Sequence, residues 1–225
     1  MTMPTPHPFD TLTPDAVLDA LDAVGLRGDG RLTTLNSFEN RVYQAHLERP
    51  VDGHEVVVLK FYRPGRWSEA QILEEHAFAA ELAAAEVPAV APLAVDGATL
   101  HHHAGFAWGA WPRRGGRRPE LDDFEVLEWI GRFLARLHTV GAARPFAHRP
   151  ALDSASFARE PRDWLLEHEM IAPEVRREWC AALDEALTLI EAHPVLRAGG
   201  DSDPQGIARL RLHGDCHPGN VLWTP

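Results

Sequence analysis

Residues 213–220 read HGDCHPGN, which sets Asp215 five positions before Asn220. A carboxylate and a carboxamide at that spacing suit phosphoryl transfer: the acid orients an attacking hydroxyl and takes its proton, while the amide oxygen holds a divalent cation. That reaction asks for little covalent chemistry from a protein, which mainly positions the reactants and neutralises spread negative charge. Asp215 therefore needs no raised pKa. His213, Cys216 and His217 share the segment and could be read as zinc ligands, but their spacing brings no fourth ligand nearby. Cys216 also fits as a small apolar side chain rather than a nucleophile.

A phosphate-handling cation is the natural partner of such a segment. Lys and Arg total 22, and all but Lys60 are arginine. A compact, flexible ammonium suits a phosphate better than a planar guanidinium fork does, which singles out this lysine. Lys60 lies in EVVVLKFY, residues 55–62, a β-branched and aromatic run that reads as a buried strand. A breaker region follows, and Ser68 then opens a helical pattern with Ile72, Leu73, Ala79 and Leu82 on its apolar side. Glu75 on that helix is the expected partner of Lys60, with Glu74 the nearest competitor. Upstream, residues 31–35 and 41–46 read as strands joined by the turn Asn36, Ser37, Phe38, Glu39, Asn40. Such a turn can aim backbone N–H groups and the Ser37 hydroxyl at an anion. It contains no glycine, and Asn and Ser also suit a plain hairpin turn.

The remaining pattern places these groups in two regions. Thr13 caps an opening helix with Pro14 in its first turn and Val17, Leu18, Leu21 and Val24 at helical spacing. A short strand near residues 93–95, a turn at Asp96 and Gly97, and a strand over 105–111 are expected, with His101, His102 and His103 in a solvated turn. Residues 112–119 are dense in Pro, Gly and Arg, and the chain beyond them reads as helical over 121–138, 161–170 and 173–192. The expected class is α+β: an N-terminal lobe over 1–111, a linker over 112–118, and a mostly helical second lobe over 119–225.

Composition excludes several functions. The 225 residues are 45% hydrophobic and 24% charged, enough for a substantial core. A net charge of −11 argues against general affinity for nucleic acid or an anionic membrane, although Arg113, Arg114, Arg117 and Arg118 make a local exception. No apolar stretch approaches the roughly 20 residues that span a bilayer. Only Cys180 and Cys216 are present, so a disulfide framework is not expected and the cytoplasm is the natural location. A monomer is favoured.

Four segments together resemble a known family: LNSFENRVYQ at 35–44, VVLKFYRPGRW at 57–67, ILEEH at 72–76 and RLHGDCHPGNVLW at 211–223. They look like the bacterial stress-response kinase A group, within the aminoglycoside phosphotransferase-like branch of the protein-kinase fold. The likeness runs from about Thr13 to the last residue. It implies a bilobal fold whose N-lobe is an antiparallel sheet with a helix, and ATP and Mg2+ as cofactors. It implies that Asp215 is the catalytic aspartate, that Asn220 is a magnesium ligand, and that Asn36 and Ser37 contact the ATP phosphates. Lys60 would bridge those phosphates while pairing with Glu75, and residues 106–112 would end at the hinge where adenine docks. The implied partner is a protein with a Ser or Thr acceptor.

The family pattern continues beyond the strand that begins at Val221, with a second metal-binding aspartate and further helices. The sequence shows no such segment after Asn220, so the helical lobe is expected to be incomplete, with apolar surface exposed, and the chain to transfer phosphate poorly. Two other readings stay open: a kinase of a small molecule such as an aminoglycoside, amino alcohol or sugar, and a non-catalytic nucleotide-binding module.

Overall fold

The computed structural model describes residues 7–192 and 209–224. Five antiparallel strands, β1 (Gly28–Leu35), β2 (Arg41–Val51), β3 (His54–Phe61), β4 (His101–His103) and β5 (Phe106–Pro112), form one sheet in the order β1-β2-β3-β5-β4. β3 is central, with Lys60 opposite Val42 of β2 on one side and Gly109 of β5 on the other. Side chains alternate across a strand. Val57, Leu59 and Phe61 are accordingly buried, while Val56, Val58 and Lys60 occupy the opposite, half-buried face. Tyr43, Ala45 and Leu47 of β2 and Phe106, Trp108 and Ala110 of β5 complete the core face with Val17, Ala20 and Leu21. Phe61 stacks on Trp108 with ring centroids 5.7 Å apart.

Local chemistry accounts for the helices around the sheet. In α1 (Pro14–Ala23) the Thr13 side chain accepts from the Ala16 N–H, and Pro14 occupies the first turn, where its missing N–H costs nothing. In α2 (Glu69–Ala84) Ser68 and Gln71 form a reciprocal capping box. The buried side of α2 is Ile72, His76, Phe78 and Leu82, whereas Leu73 is exposed. The helix is therefore rotated relative to the apolar side read from the sequence. α3 (Phe124–Gly141) starts three residues later than the pattern suggested, because the Asp123 side chain caps it by accepting from the Glu125 N–H.

Three strand expectations are corrected. β1 and β2 are longer than anticipated, β3 is shifted by one residue, and β2 joins β3 at Asp52 and Gly53, both with positive φ (48° and 80°), the conformation of a tight two-residue hairpin turn. Residues 93–95 form no strand; Val95 makes only an isolated bridge with Ala98. The three histidines form β4 instead, with His101 paired to Trp108 and buried against its indole, the ring centroids 5.0 Å apart.

The chain forms two compact units, Met1–His148 with Arg211–Pro225, and Arg149–Leu210. The 112–118 segment lies inside the first unit. α2 and α3 share a second small core of Phe78, Leu82, Val87 and Leu137 in that unit. In the second unit a π-helical turn, Ala155–Arg159, leads into α4 (Glu160–Glu167), followed by α5 (Pro173–Ala192). Pro161 has no N–H to give the preceding turn, which accounts for the irregular start of α4. Arg162 joins α4 to α5 through Asp184 at 2.9 Å. Among the described residues no helix is long and apolar enough to cross a membrane.

Two measurements follow from this packing. His76 is 3% exposed, its ring set between the Tyr62 hydroxyl at 2.7 Å and the Thr99 hydroxyl at 2.9 Å. Burial lowers its pKa from 6.5 to about 4. An unfolded chain takes up that proton as the pH falls below about 6.5 and the folded chain does not, so stability is greatest above that pH and is lost toward pH 4. Between pH 7 and pH 5 the loss is about 2 kcal/mol, read from urea unfolding, and His76→Gln should remove that part of the slope. An unchanged slope in the variant would contradict the assignment. Exposed large apolar side chains concentrate late in the chain, including Phe124, Leu152, Phe157, Met170 and Leu189. The folded protein should therefore enhance the fluorescence of an apolar dye at neutral pH with full helical circular dichroism; no enhancement would contradict exposure of this surface.

Candidate active site

Three groups of sequence-predicted residues lie in the first unit. At the first, β3 carries Lys60 and α2 carries Glu75. The Lys60 ammonium donates to Glu75 Oε1 at 2.9 Å, with both side chains partly exposed. The ammonium also stands over the Tyr62 ring at 4.6 Å and the Trp111 ring at 5.8 Å. Tyr62 is itself tied to buried His76, so the aromatic floor beneath the lysine is held from behind. A partly open ammonium on a fixed floor, turned by a carboxylate, is placed to meet an anion from the solvent side.

The geometry also separates the two neighbouring glutamates. Glu74 accepts from the backbone N–H groups of Ala147 at 2.5 Å and His148 at 2.9 Å. One residue along a helix is a rotation of about 100°. Glu75 consequently faces the sheet while Glu74 secures the chain that leaves α3.

The second group is the turn between β1 and β2. Arg41 and Val42 are opposite Phe61 and Lys60, so the turn adjoins the end of the sheet that holds the lysine. The Ser37 hydroxyl donates to the Asn40 carbonyl at 2.7 Å, and the Asn40 side chain accepts from the Arg63 N–H at 3.2 Å. Asn36 and Phe38 are exposed. Glu39 anchors the turn by accepting from Arg66 Nε at 3.0 Å and Trp67 Nε1 at 2.8 Å. Burial opposes ionisation of Glu39, but the hydrogen bonds from Trp67 and Arg66 outweigh it and hold the carboxyl below its ordinary range.

The third group is the segment with Asp215 and Asn220. The Asn220 amide donates to Asp215 Oδ2 at 2.9 Å and to the Asp215 carbonyl at 2.9 Å, which closes the loop between them. Gly214 has φ +79°, a conformation strained for other residues, and lets the chain turn directly before the acid. Pro218–Asn220 form a short 3-10 turn, with His217 Nδ1 accepting from the Gly219 N–H at 3.0 Å. Downstream, Trp223 pairs antiparallel with Arg117 through backbone bonds of 2.8 and 2.9 Å. A side chain at Gly116 would meet Leu222 at 2.9 Å, so this junction requires glycine.

Donor chemistry matches a hard cation here. With its N–H2 turned to Asp215, the Asn220 Oδ1 and the exposed Asp215 carboxylate present oxygens, the ligands that Mg2+ prefers, rather than soft sulfur. Among the described residues no group of three or more His, Cys, Asp or Glu side chains is arranged to hold a metal ion. Cys180 and Cys216 are free thiols.

Sequence reasoning missed the residues that hold these groups in place. His76 sits inside the quoted ILEEH segment but carried no signal beyond helical spacing. Glu39 gave none, because its partners lie beyond two intervening strands. Arg211, buried at the start of the segment that holds Asp215, entered the sequence reading only as the first residue of the 211–223 resemblance.

Comparison with known proteins identifies the family and the fold. The phosphotransferase enzyme family (APH) matches residues 31–225. The chain is 43% identical over 215 residues to stress response kinase A of Escherichia coli (strain K12), covering 96% of this chain and 62% of that protein. It is equally 43% identical to the serine/threonine protein kinase RdoA of Salmonella typhimurium, with the same coverage. The chain thus spans 62% of the length of these curated relatives. Among solved structures, amicoumacin kinase hAmiN in complex with AMP-PNP, Ca2+ and Ami superposes with a TM-score of 0.61 at 17% identity, over 81% of this chain and 55% of that one. A five-stranded antiparallel sheet with its lysine–glutamate pair, the family match over residues 31–225 and relatives at 43% identity along 96% of the chain lead to one assignment: the chain belongs to the phosphotransferase enzyme family.

Proposed function

We propose that the protein is an ATP-dependent protein serine/threonine kinase of the stress-response type, acting in the cytoplasm. The observation that carries this reading is the Lys60–Glu75 pair at 2.9 Å on the central strand of the sheet, in the same compact unit as Asp215 and Asn220. Lys60 would contact the nucleotide phosphates, with Glu75 fixing its direction. Backbone N–H groups of the 36–40 turn, with Asn36 and Ser37, would cradle the same phosphates. The adenine would dock along 112–118, between the lobes proposed for 1–111 and 119–225.

Asn220 Oδ1 would hold Mg2+, which when bound neutralises charge on the transferring phosphate. Asp215 orients the acceptor hydroxyl and takes its proton late in transfer. Its exposure leaves it open to an incoming acceptor. The names of the relatives at 43% identity support a protein acceptor. A small-molecule acceptor is the second reading, favoured by the amicoumacin kinase whose fold the chain shares.

Binding and transfer can be tested separately. Glu75→Gln should weaken binding of an ATP analogue about tenfold, the cost of removing one charge-assisted hydrogen bond. Wild-type affinity in that variant would remove the pair from nucleotide binding. Asp215→Asn should lower transfer of labelled phosphate about 10²- to 10⁴-fold while leaving analogue affinity nearly unchanged. Phosphoserine or phosphothreonine on a mixed protein acceptor supports the kinase reading. Label found only on an aminoglycoside or amino alcohol would replace it with the second.

A further inference from the structure

Arg211 stands four residues before Asp215, and its side chain is only 3% exposed. A guanidinium in that setting needs a close partner. Its Nη2 contacts Glu81 Oε2 of α2 at 2.7 Å and donates to the Val140 carbonyl of α3 at 3.1 Å. The guanidinium also lies over the rings of Phe78 at 4.3 Å and Phe146 at 5.7 Å. Its backbone N–H donates to the Gly141 carbonyl at 3.2 Å. The two backbones are so close there that a side chain on Gly141 would come within 2.2 Å of the Arg211 carbonyl oxygen. Arg211 is thus fixed to α2 and α3 at once.

The partner's position gives this contact its meaning. Glu81 lies on the helix that carries Glu75, six residues further on, a distance of about 9 Å along the axis. Its carboxyl is held below the ordinary range chiefly by the hydrogen bond from Arg211 and secondarily by Arg144. Among the described residues Arg211 Nε has no hydrogen-bond partner. An apolar side chain of similar volume would avoid both that orphan donor and the desolvation of an ion pair, so simple packing is a poor account of an arginine here. A helix spanning less than three turns between two ion pairs transmits a shift or rotation at one end to the other.

We propose that Arg211 and Glu81 form a positioning clamp, which sets α2 so that Glu75 reaches Lys60 and at the same time anchors the segment that presents Asp215. The clamp rests on the phosphotransfer reading above. Arg211 acts through Glu81 and α2, and is a positioning residue rather than a catalytic one.

The lone lysine makes a direct test possible. Reductive methylation with 13C-labelled formaldehyde gives one side-chain signal, from dimethylated Lys60, which keeps its charge and one N–H for Glu75. Its chemical shift and titration midpoint are compared in the wild type, Glu75→Gln, Arg211→Met, Glu81→Gln and the Arg211→Met/Glu75→Gln pair. Arg211→Met and Glu81→Gln are each expected to move the signal at least half of the way to its position in Glu75→Gln, and Arg211→Met to add nothing in the Glu75→Gln background. A Lys60 signal unmoved by Arg211→Met or Glu81→Gln, with a lower melting temperature, would reduce the clamp to a structural contact and overturn the proposal. If Arg211→Met fails to fold by circular dichroism, Glu81→Gln, which keeps the side-chain volume and an acceptor oxygen, decides alone.

Binding of the non-hydrolysable analogue AMP-PNP with Mg2+ supplies a second arm. Arg211→Met and Glu75→Gln should each weaken it about tenfold and the pair no more than either alone; independent, multiplying effects would overturn the clamp. Absence of any nucleotide binding by the wild type would sink the phosphotransfer reading, while the Lys60 signal would still report whether Arg211 controls the pair.

Discussion

The contact between Lys60 and Glu75 is the constraint on which the arrangement depends, because it requires a central strand and a helix to meet in one register. A partly exposed ion pair of this kind contributes little to stability, commonly below about 1 kcal/mol. It cannot create that register and has to be supplied with it. β3 provides one side, through pairing with β2 and β5 that leaves Lys60 opposite Gly109. α2 provides the other. The Ser68–Gln71 capping box starts it, Glu74 binds it to the N–H groups of residues 147 and 148, and Glu81 binds it to Arg211.

This division of labour among neighbouring acids follows from helix geometry. Glu74, Glu75 and Glu81 belong to one short helix and have three different destinations: backbone amides, the lysine, and a buried guanidinium. Each charge has a partner, and the partners lie in parts of the chain far apart in sequence. The helix therefore gathers the sheet, the chain leaving α3 and the segment with Asp215 into one unit. His76 adds a neutral, buried link on the same helix, positioned between Thr99 and Tyr62, and so supports the aromatic floor under Lys60. Burial keeps it uncharged, which avoids a second cation close to the ammonium.

Local signals were legible where the chemistry is local. Thr13, Pro14 and Ser68 start helices through their own side chains or ring, and α5 runs over the residues its pattern marks, Pro173–Ala192. Asp215 and Asn220 were visible because their spacing within one loop is what lets the amide reach the carboxylate. The Asp52–Gly53 turn went unread although Asp-Gly is itself a local hairpin signal, and the local reading failed at the histidines of β4, where a polar triplet is drawn into the sheet by the backbone bonds of β5. It also misjudged the face of α2, since Leu73 points outward and His76 inward.

By itself the sequence determined the identities and the local spacing of the candidate site groups: one lysine in a β-branched run, acids on the helix after it, and an aspartate and asparagine five apart. These properties reside in short stretches, where covalent connectivity limits what can be near what. Only the tertiary structure decided which glutamate meets Lys60, because a rotation of about 100° separates Glu74 from Glu75 and packing of the whole helix sets that angle. It alone also brought Arg211 to Glu81 and Phe78. The physical reason is that the partner of a charged group is chosen by how the elements pack rather than by distance along the chain, and for buried Arg211 burial is tolerable only beside such a partner.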